Sequence, residues 1–344
     1  MNDILHPLLA LLERGENAVR ATILTHEGST PRSAGSRMLL AADDRPGGCG
    51  VRIAAGTVGG GLVEARVMES AARVLASGQR SVEAFDLTGE LAAGADMICG
   101  GRLRVFVERI GPEELPLFRQ LAQALKNGER RLLLTPLDAG PARLLEPSGS
   151  AEEPGLSGEQ LNAARTQGAG INAPITLSLG PRQHVLEPWT APSPLTILGA
   201  GHVSRPTAQV AALAGFRVLV LDDRPDFANA ERFPWAETRV LPDFSHALEN
   251  APCGPGAFIV IVTRGHVHDA DTLAQALRTS AGYIGMIGSR RKRDAVYERL
   301  RGQGFTEADL ARVHCPIGLE IGAETPEEIA VSIVAELIAA RAGL

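Results

Sequence analysis

Leu195-Thr196-Ile197-Leu198 runs directly into Gly199-Ala200-Gly201-His202-Val203-Ser204-Arg205, an apolar-periodic helix follows, and Arg217-Val218-Leu219-Val220-Leu221 ends at Asp222-Asp223-Arg224. A short apolar strand, a glycine turn opening a helix, and an acid about 20 positions on at the end of a second strand make the Rossmann-type βαβ pattern that holds dinucleotides. Gly199 permits the tight turn, and Gly201 lets backbone approach a phosphate. The free N–H groups of the helix start, at the positive end of its dipole, attract an anion. Asp222 is placed to bind a ribose hydroxyl. The third glycine of the pattern is Ser204, which either loosens helix-strand packing slightly or hydrogen-bonds in place.

The rest of the C-terminal half repeats the alternation. Residues 238–241 form a short strand, and residues 258–262 are an apolar strand of the fully buried kind, ending at Thr263-Arg264-Gly265-His266-Val267-His268-Asp269. Residues 283–287 are another, ending at Gly288-Ser289-Arg290-Arg291-Lys292-Arg293. In an open parallel sheet these endings share one edge, where ligands bind at the topological switch point. That places His202, Asp222, Arg224, His266 and the Gly288-Ser289-Arg290 turn in one neighbourhood. His266 and His268 are read as loop histidines, hydrogen-bonding or, less simply, metal-binding, and the Arg290–Arg293 run as a helix start with a solvated face. A closing helix follows Thr325-Pro326-Glu327-Glu328, an N-cap, an N1 proline and two early acids. Ile329, Ile333, Val334, Leu337 and Ile338 make its apolar face.

Working back toward the N-terminus, residues 188–194 hold three prolines and little apolar content and are read as a linker. The chain thus divides into an N-terminal mixed α+β domain, residues 1–190, and a Rossmann-like doubly wound parallel-sheet domain, residues 191–344. The segment 131–185 has a weak pattern and stays unassigned. Ahead of it, a helix over residues 4–13 and a strand over 19–24 lead to Gly28-Ser29-Thr30-Pro31-Arg32-Ser33-Ala34-Gly35-Ser36-Arg37. Two Gly-Ser turns with two arginines suit an oxyanion, or else form a flexible hairpin with solvated arginines. Gly56-Thr57-Val58-Gly59-Gly60-Gly61 then opens a helix with Glu64 in its first turn. Three consecutive glycines cost conformational entropy, and their use is backbone access to a ligand. Glu64 either complements the helix dipole or faces that ligand.

Cys99-Gly100-Gly101 follows, a thiol beside two sterically open residues. Neighbouring N–H groups can turn toward such a sulfur and stabilise its thiolate. Cys99 is the candidate functional sulfur, as ligand to a soft metal or as carrier of a persulfide, against the alternative of a buried cysteine beside a strand.

The 344 residues suit about two domains. A net charge of -6 argues against nucleic acid held by bulk charge. No apolar run reaches the ~18 residues of a membrane span, and the first segment carries Asp3 and Glu13 rather than a basic-then-apolar leader, so a cytoplasmic protein is expected. The four cysteines lack any Cys-x-x-Cys spacing, which argues against a zinc knuckle or thioredoxin-like centre.

Taken together, these motifs resemble the XdhC/CoxI family, accessory proteins that mature molybdenum hydroxylases such as xanthine dehydrogenase and carbon monoxide dehydrogenase. The resemblance rests on Gly28-Ser29-Thr30-Pro31-Arg32, Gly56 to Gly61 with Glu64, Cys99-Gly100-Gly101, Gly199-Ala200-Gly201-His202-Val203, Asp222-Asp223-Arg224-Pro225, Gly285-Met286-Ile287-Gly288-Ser289-Arg290, and Pro316-Ile317-Gly318-Leu319 with Thr325-Pro326-Glu327-Glu328. It implies a chaperone that binds molybdenum cofactor, as molybdopterin or its dinucleotide, protects it and delivers it to an apo-enzyme. A cysteine desulfurase would be a second partner, and a homodimer the assembly. Cys99 matches the family's Cys-Gly-Gly position and would lie near the molybdenum or its sulfur. Two positions depart from the pattern: Leu62, where many relatives have cysteine, and Ser204. The competing expectations are an NAD(P)-dependent oxidoreductase, with Asp222 on ribose and His202 or His266 as proton donor, and a scaffold whose Rossmann unit is empty.

Overall fold

A computed structural model describes residues 4–43, 45, 49–87, 100–146, 156–264 and 266–344. The chain forms two compact units, Met1–Ala191 and Pro192–Leu344.

In the first unit, α1 (Leu5–Glu13), β1 (Ala18–Glu27), β2 (Arg37–Ala42), β3 (Val51–Gly56), α2 (Gly61–Ser77), β4 (Ser81–Asp86) and β5 (Arg102–Ile110) build around an antiparallel sheet of order β3-β2-β1-β5-β4. Alternation along β1 decides its two faces. Val19, Ala21 and Ile23 pack with Val63, Val67, Ala71 and Val74 of α2. Arg20 and Thr22, one residue out of phase, are buried on the opposite face.

The segment without a clear pattern is a second sheet. After α3 (Leu115–Lys126) come β6 (Arg131–Pro136), β7 (Arg143–Leu145), α4 (Gly158–Gly168), β8 (Ile175–Leu179) and β9 (Arg182–Trp189), with strand order β7-β6-β9-β8. Leu132, Leu134, Leu177 and Leu186 pack with Leu161 and Ala164 of α4. From the other face Glu187 meets the first sheet, accepting from Arg20 Nη2 at 2.7 Å and Arg37 Nε at 3.0 Å. Arg20 also donates to Glu108 at 2.6 Å, and the Arg37 guanidinium lies 4.0 Å from the Trp189 ring centroid. Buried charges persist only when paired in this way.

Two expectations are corrected here. Pro188 is no linker residue, because it pairs with Leu132 inside β9; β8 ends its pairing at Leu186, so a residue without an N–H is tolerated just beyond it. Arg37, expected at an oxyanion site, is buried and committed to Glu187.

The second unit holds β10 (Pro194–Leu198), α5 (Ser204–Leu213), β11 (Arg217–Asp222), β12 (Glu237–Val240), β13 (Phe258–Ile261), α6 (His266–Leu277), β14 (Tyr283–Met286), α7 (Arg290–Gly302), α8 (Glu307–Leu310), β15 (Val313–His314) and α9 (Pro326–Ala342). Its sheet runs β12-β11-β10-β13-β14-β15, every pair parallel. Numbered within the unit this is 3-2-1-4-5-6, the Rossmann order, with its switch point between β10 and β13. The unbroken apolar runs have a simple cause. Leu198, Leu219, Leu221 and Ile261 face α6 and α7, whereas Ile197, Val218, Val220 and Val260 face α5 and α9.

Two further readings change. His266 opens α6 and His268 lies within it, so neither is a loop residue. On α9, Ile338 is exposed while Ala330 and Ser332 are buried, because the apolar face against α5 is rotated from the one expected. Among the described residues no helix is long and apolar enough to cross a membrane.

Candidate functional site

In the first unit the glycine motifs meet because their glycines have no side chain. Gly28 adopts φ +69, and a Cβ there would lie 3.0 Å from Gly100 O. A Cβ on Gly101 would clash with Glu27 O and lie 2.8 Å from Ser29 O. On the other flank Gly59, at φ +127, would place a Cβ 2.5 Å from Pro31 Cγ. Thus the turn carrying Ser29 and Arg32 is clasped between the Gly100-Gly101 backbone and the Gly59-Gly60-Gly61 loop. Cys99 lies outside the described residues; its neighbour Gly100 is the backbone that touches Gly28.

Local hydrogen bonds set the shape of this cradle. Gly59 N–H donates to Thr57 Oγ1 at 3.0 Å, and the Thr57 hydroxyl donates to Glu64. Glu64 therefore braces the turn from the first helical turn of α2. Gly60 is the N-cap of α2, with no side-chain cap and open space where a Cβ would be. The first N–H groups of a 17-residue helix are consequently free of any capping side chain. Ala34 N–H donates to His26 Nδ1 at 3.1 Å, pinning the far end of the loop to β1. Arg32 is exposed, with no ion-pair partner among the described residues.

In the second unit the switch point is built as the sequence implies. Gly199, at φ +105, would put a Cβ 2.5 Å from Val262 O, so only glycine lets the β10 turn pass the end of β13. Gly201 faces open space. Asp222, expected on a ribose, already has its oxygens engaged. It accepts from Ala200 N at 2.7 Å, Arg224 N at 3.0 Å and Arg224 Nε at 2.8 Å. Burial opposes its charge, but Arg224 and these backbone donors outweigh it and hold the carboxyl below its ordinary range. The Arg224 guanidinium in turn lies 3.7 Å from the Phe227 ring centroid, with Arg232 at 4.9 Å. Ser204 is buried, and its hydroxyl has no hydrogen-bond partner among the described residues.

Several residues absent from the expected set complete this edge. Arg264, just past β13, donates to Asp223, just past β11, at 2.6 Å, so the bridge links the two strands that flank β10. Asp269 in α6 is fully buried, accepts the Thr263 hydroxyl at 2.6 Å and pairs with Lys292. Gly288 allows this, since a Cβ there would sit 2.6 Å from Lys292 Cδ. Ser289 caps α7 by accepting from Lys292 N at 3.2 Å, whereas Arg290 is exposed, 3.6 Å from Glu320. Gly288 and Ser289 thus belong with Lys292 and Asp269, while His202 is an exposed turn residue. His266 starts α6 at this edge. The signal for Lys292 was its place two residues into a helix that follows a buried strand, yet its partner lies 23 positions back (292 − 269).

Residues 195–337 match the model of the XdhC Rossmann domain, and residues 11–86 match that of the XdhC and CoxI family. Over 343 residues the chain is 30% identical to a protein of Bacillus subtilis strain 168 described as a probable xanthine dehydrogenase subunit, covering 98% of this chain and 97% of that one. The chain belongs to the XdhC and CoxI family. It is also 39% identical over 145 residues to the uncharacterized protein YqeB of Escherichia coli K12, a match of 42% of this chain to 26% of that longer protein. A crystal structure described as a xanthine dehydrogenase from Bacillus halodurans shares the fold, with a TM-score of 0.78 at 24% identity over 99% of this chain and 96% of that one.

Proposed function

We propose that this protein serves the maturation of a molybdenum hydroxylase of the xanthine dehydrogenase kind, by holding molybdenum cofactor and delivering it to the apo-enzyme. The observation that carries the reading is the convergence of the Gly28-Ser29, Gly59-Gly60-Gly61 and Gly100-Gly101 turns. A pterin phosphate is an anion that needs close backbone approach and a guanidinium. The uncapped start of α2, the open Gly60 and the exposed Arg32 suit its phosphate end. Cys99, next in the chain to Gly100, is the thiol proposed to lie near molybdenum or its sulfur. Family membership and the named Bacillus subtilis relative support the enzyme class served. The glycine turn at Gly199, within its own unit, also suits a phosphate group. A cysteine desulfurase and a second copy of this chain are the further partners proposed.

The engaged Asp222 disfavours the oxidoreductase reading, because a ribose diol would have to displace both Arg224 and the Ala200 N–H. Anaerobic equilibrium binding of isolated molybdenum cofactor, with NAD and NADP titrated in parallel, tests the choice. Tight cofactor binding that neither nucleotide displaces is expected, together with loss of partner-enzyme activation in Cys99→Ala. Micromolar NAD binding without cofactor binding would overturn the proposal.

A further inference from the structure

The second sheet of the first unit carries a cavity of about 340 Å³, walled by Leu179 and Pro181 and lined by Arg143, Gln160, Arg182 and His184. It lies within residues 136–184, outside both stretches that match the family models. Its polar groups come from one feature of strand geometry. In β9, Val185 and Glu187 face the first sheet, so His184 and Leu186 turn the other way, toward α4. His184 is 3% exposed, and its Nδ1 has no hydrogen-bond partner among the described residues. A buried ring nitrogen in that condition is open to a further polar partner. Two guanidinium groups line the same space. Arg182 Nε lies 3.3 Å from Asp138, and its Nη1 donates to Ala139 O at 3.4 Å; both contacts are long, and the side chain is half exposed. Arg80, nearby, is anchored to Pro136 O and Gly140 O, which fixes the loop forming the rim.

We propose that this cavity binds a small organic anion, a carboxylate or phosphate monoester with an apolar body. The anionic oxygens meet Arg182 and the His184 ring, and the apolar body lies against Leu179 and Pro181. Mixed apolar walls with a few convergent polar groups are the usual make-up of a small-molecule site. Charge-assisted contacts to a guanidinium supply the selectivity for an anion.

Calorimetric titration of the full chain with benzoate, phenyl phosphate and neutral benzamide tests this. Benzoate or phenyl phosphate should bind saturably and benzamide should not. Arg182→Ala should weaken binding by roughly tenfold or more, the loss of one charge-assisted contact. His184→Phe, which keeps the ring volume, should weaken it too, with thermal unfolding of both variants checked against wild type. Absence of saturable binding by both anions, equal affinity in the two folded variants, or benzamide binding as tightly as benzoate would each overturn the assignment. The two anions also separate a carboxylate site from a phosphate site.

Discussion

Gly59 and Gly60 are adjacent and both at positive φ, yet they carry different constraints. Pro31 occupies the space where a Gly59 side chain would go, whereas nothing lies within 4 Å at Gly60. Gly60→Ala should cost only its positive-φ, extended-ψ backbone, about 1–3 kcal/mol. Gly59→Ala should cost more, since the clash with Pro31 adds to a similar backbone cost; urea midpoints at unchanged slope would measure both. Asp222 gives a second prediction at this scale. Its folded carboxyl is held below the ordinary range, so its contribution is complete above the unfolded value of about 3.9 and is lost as pH falls through the lower folded one. Asp222→Asn should therefore flatten the acid limb of stability in that window. An unchanged limb would mean that the charge at Asp222 does not stabilise the fold.

Helix α7 shows how one element serves two purposes. Ser289 caps it, and Ser289→Ala should cost ~1 kcal/mol, the usual value of a lost N-cap. Lys292, three residues on, reaches the fully buried Asp269. Lys292→Met leaves that carboxylate unpaired and should cost about 3–5 kcal/mol. Adding Asp269→Asn should restore part of the loss, and a double-mutant cycle that shows strict additivity would contradict the pairing. The basic run was legible as a helix start but not as a mixed face. Arg290 is solvated as spacing implies, while Lys292 turns inward because Gly288 leaves room for it.

Each unit has its own core and, in the first, its own buried ionic tie between sheets. Glu187→Gln weakens the clasp on Arg20 and Arg37 and should cost several kcal/mol, up to ~3–5 if both guanidinium ions stay buried. Amide exchange should then quicken in β1, β2 and β9 while β10 and β13 keep their protection. Equal loss of protection in β10 and β13 would show that the two units unfold together. This second sheet was the part of the molecule hidden from sequence. Its strands are short, its pairing of β6 with β9 spans about fifty residues, and its buried glutamate looks like any polar residue in a weak pattern.

The sequence by itself determined the Rossmann unit, because a strand buried on both faces must be apolar at every position and a phosphate turn must be glycine where backbone approaches backbone. It also determined the three glycine turns of the first unit as candidate ligand contacts. Only the tertiary structure decided what each polar group does. Arg37 binds Glu187 rather than an anion, Asp222 holds the Gly199 turn and Arg224, and Lys292 finds Asp269. The reason is physical: the contacts that settle these roles, Glu187 for Arg37, Ala200 for Asp222 and Asp269 for Lys292, lie tens to more than a hundred residues away. Desolvation compels each buried charge to find a partner, whereas periodicity reports only neighbours along the chain.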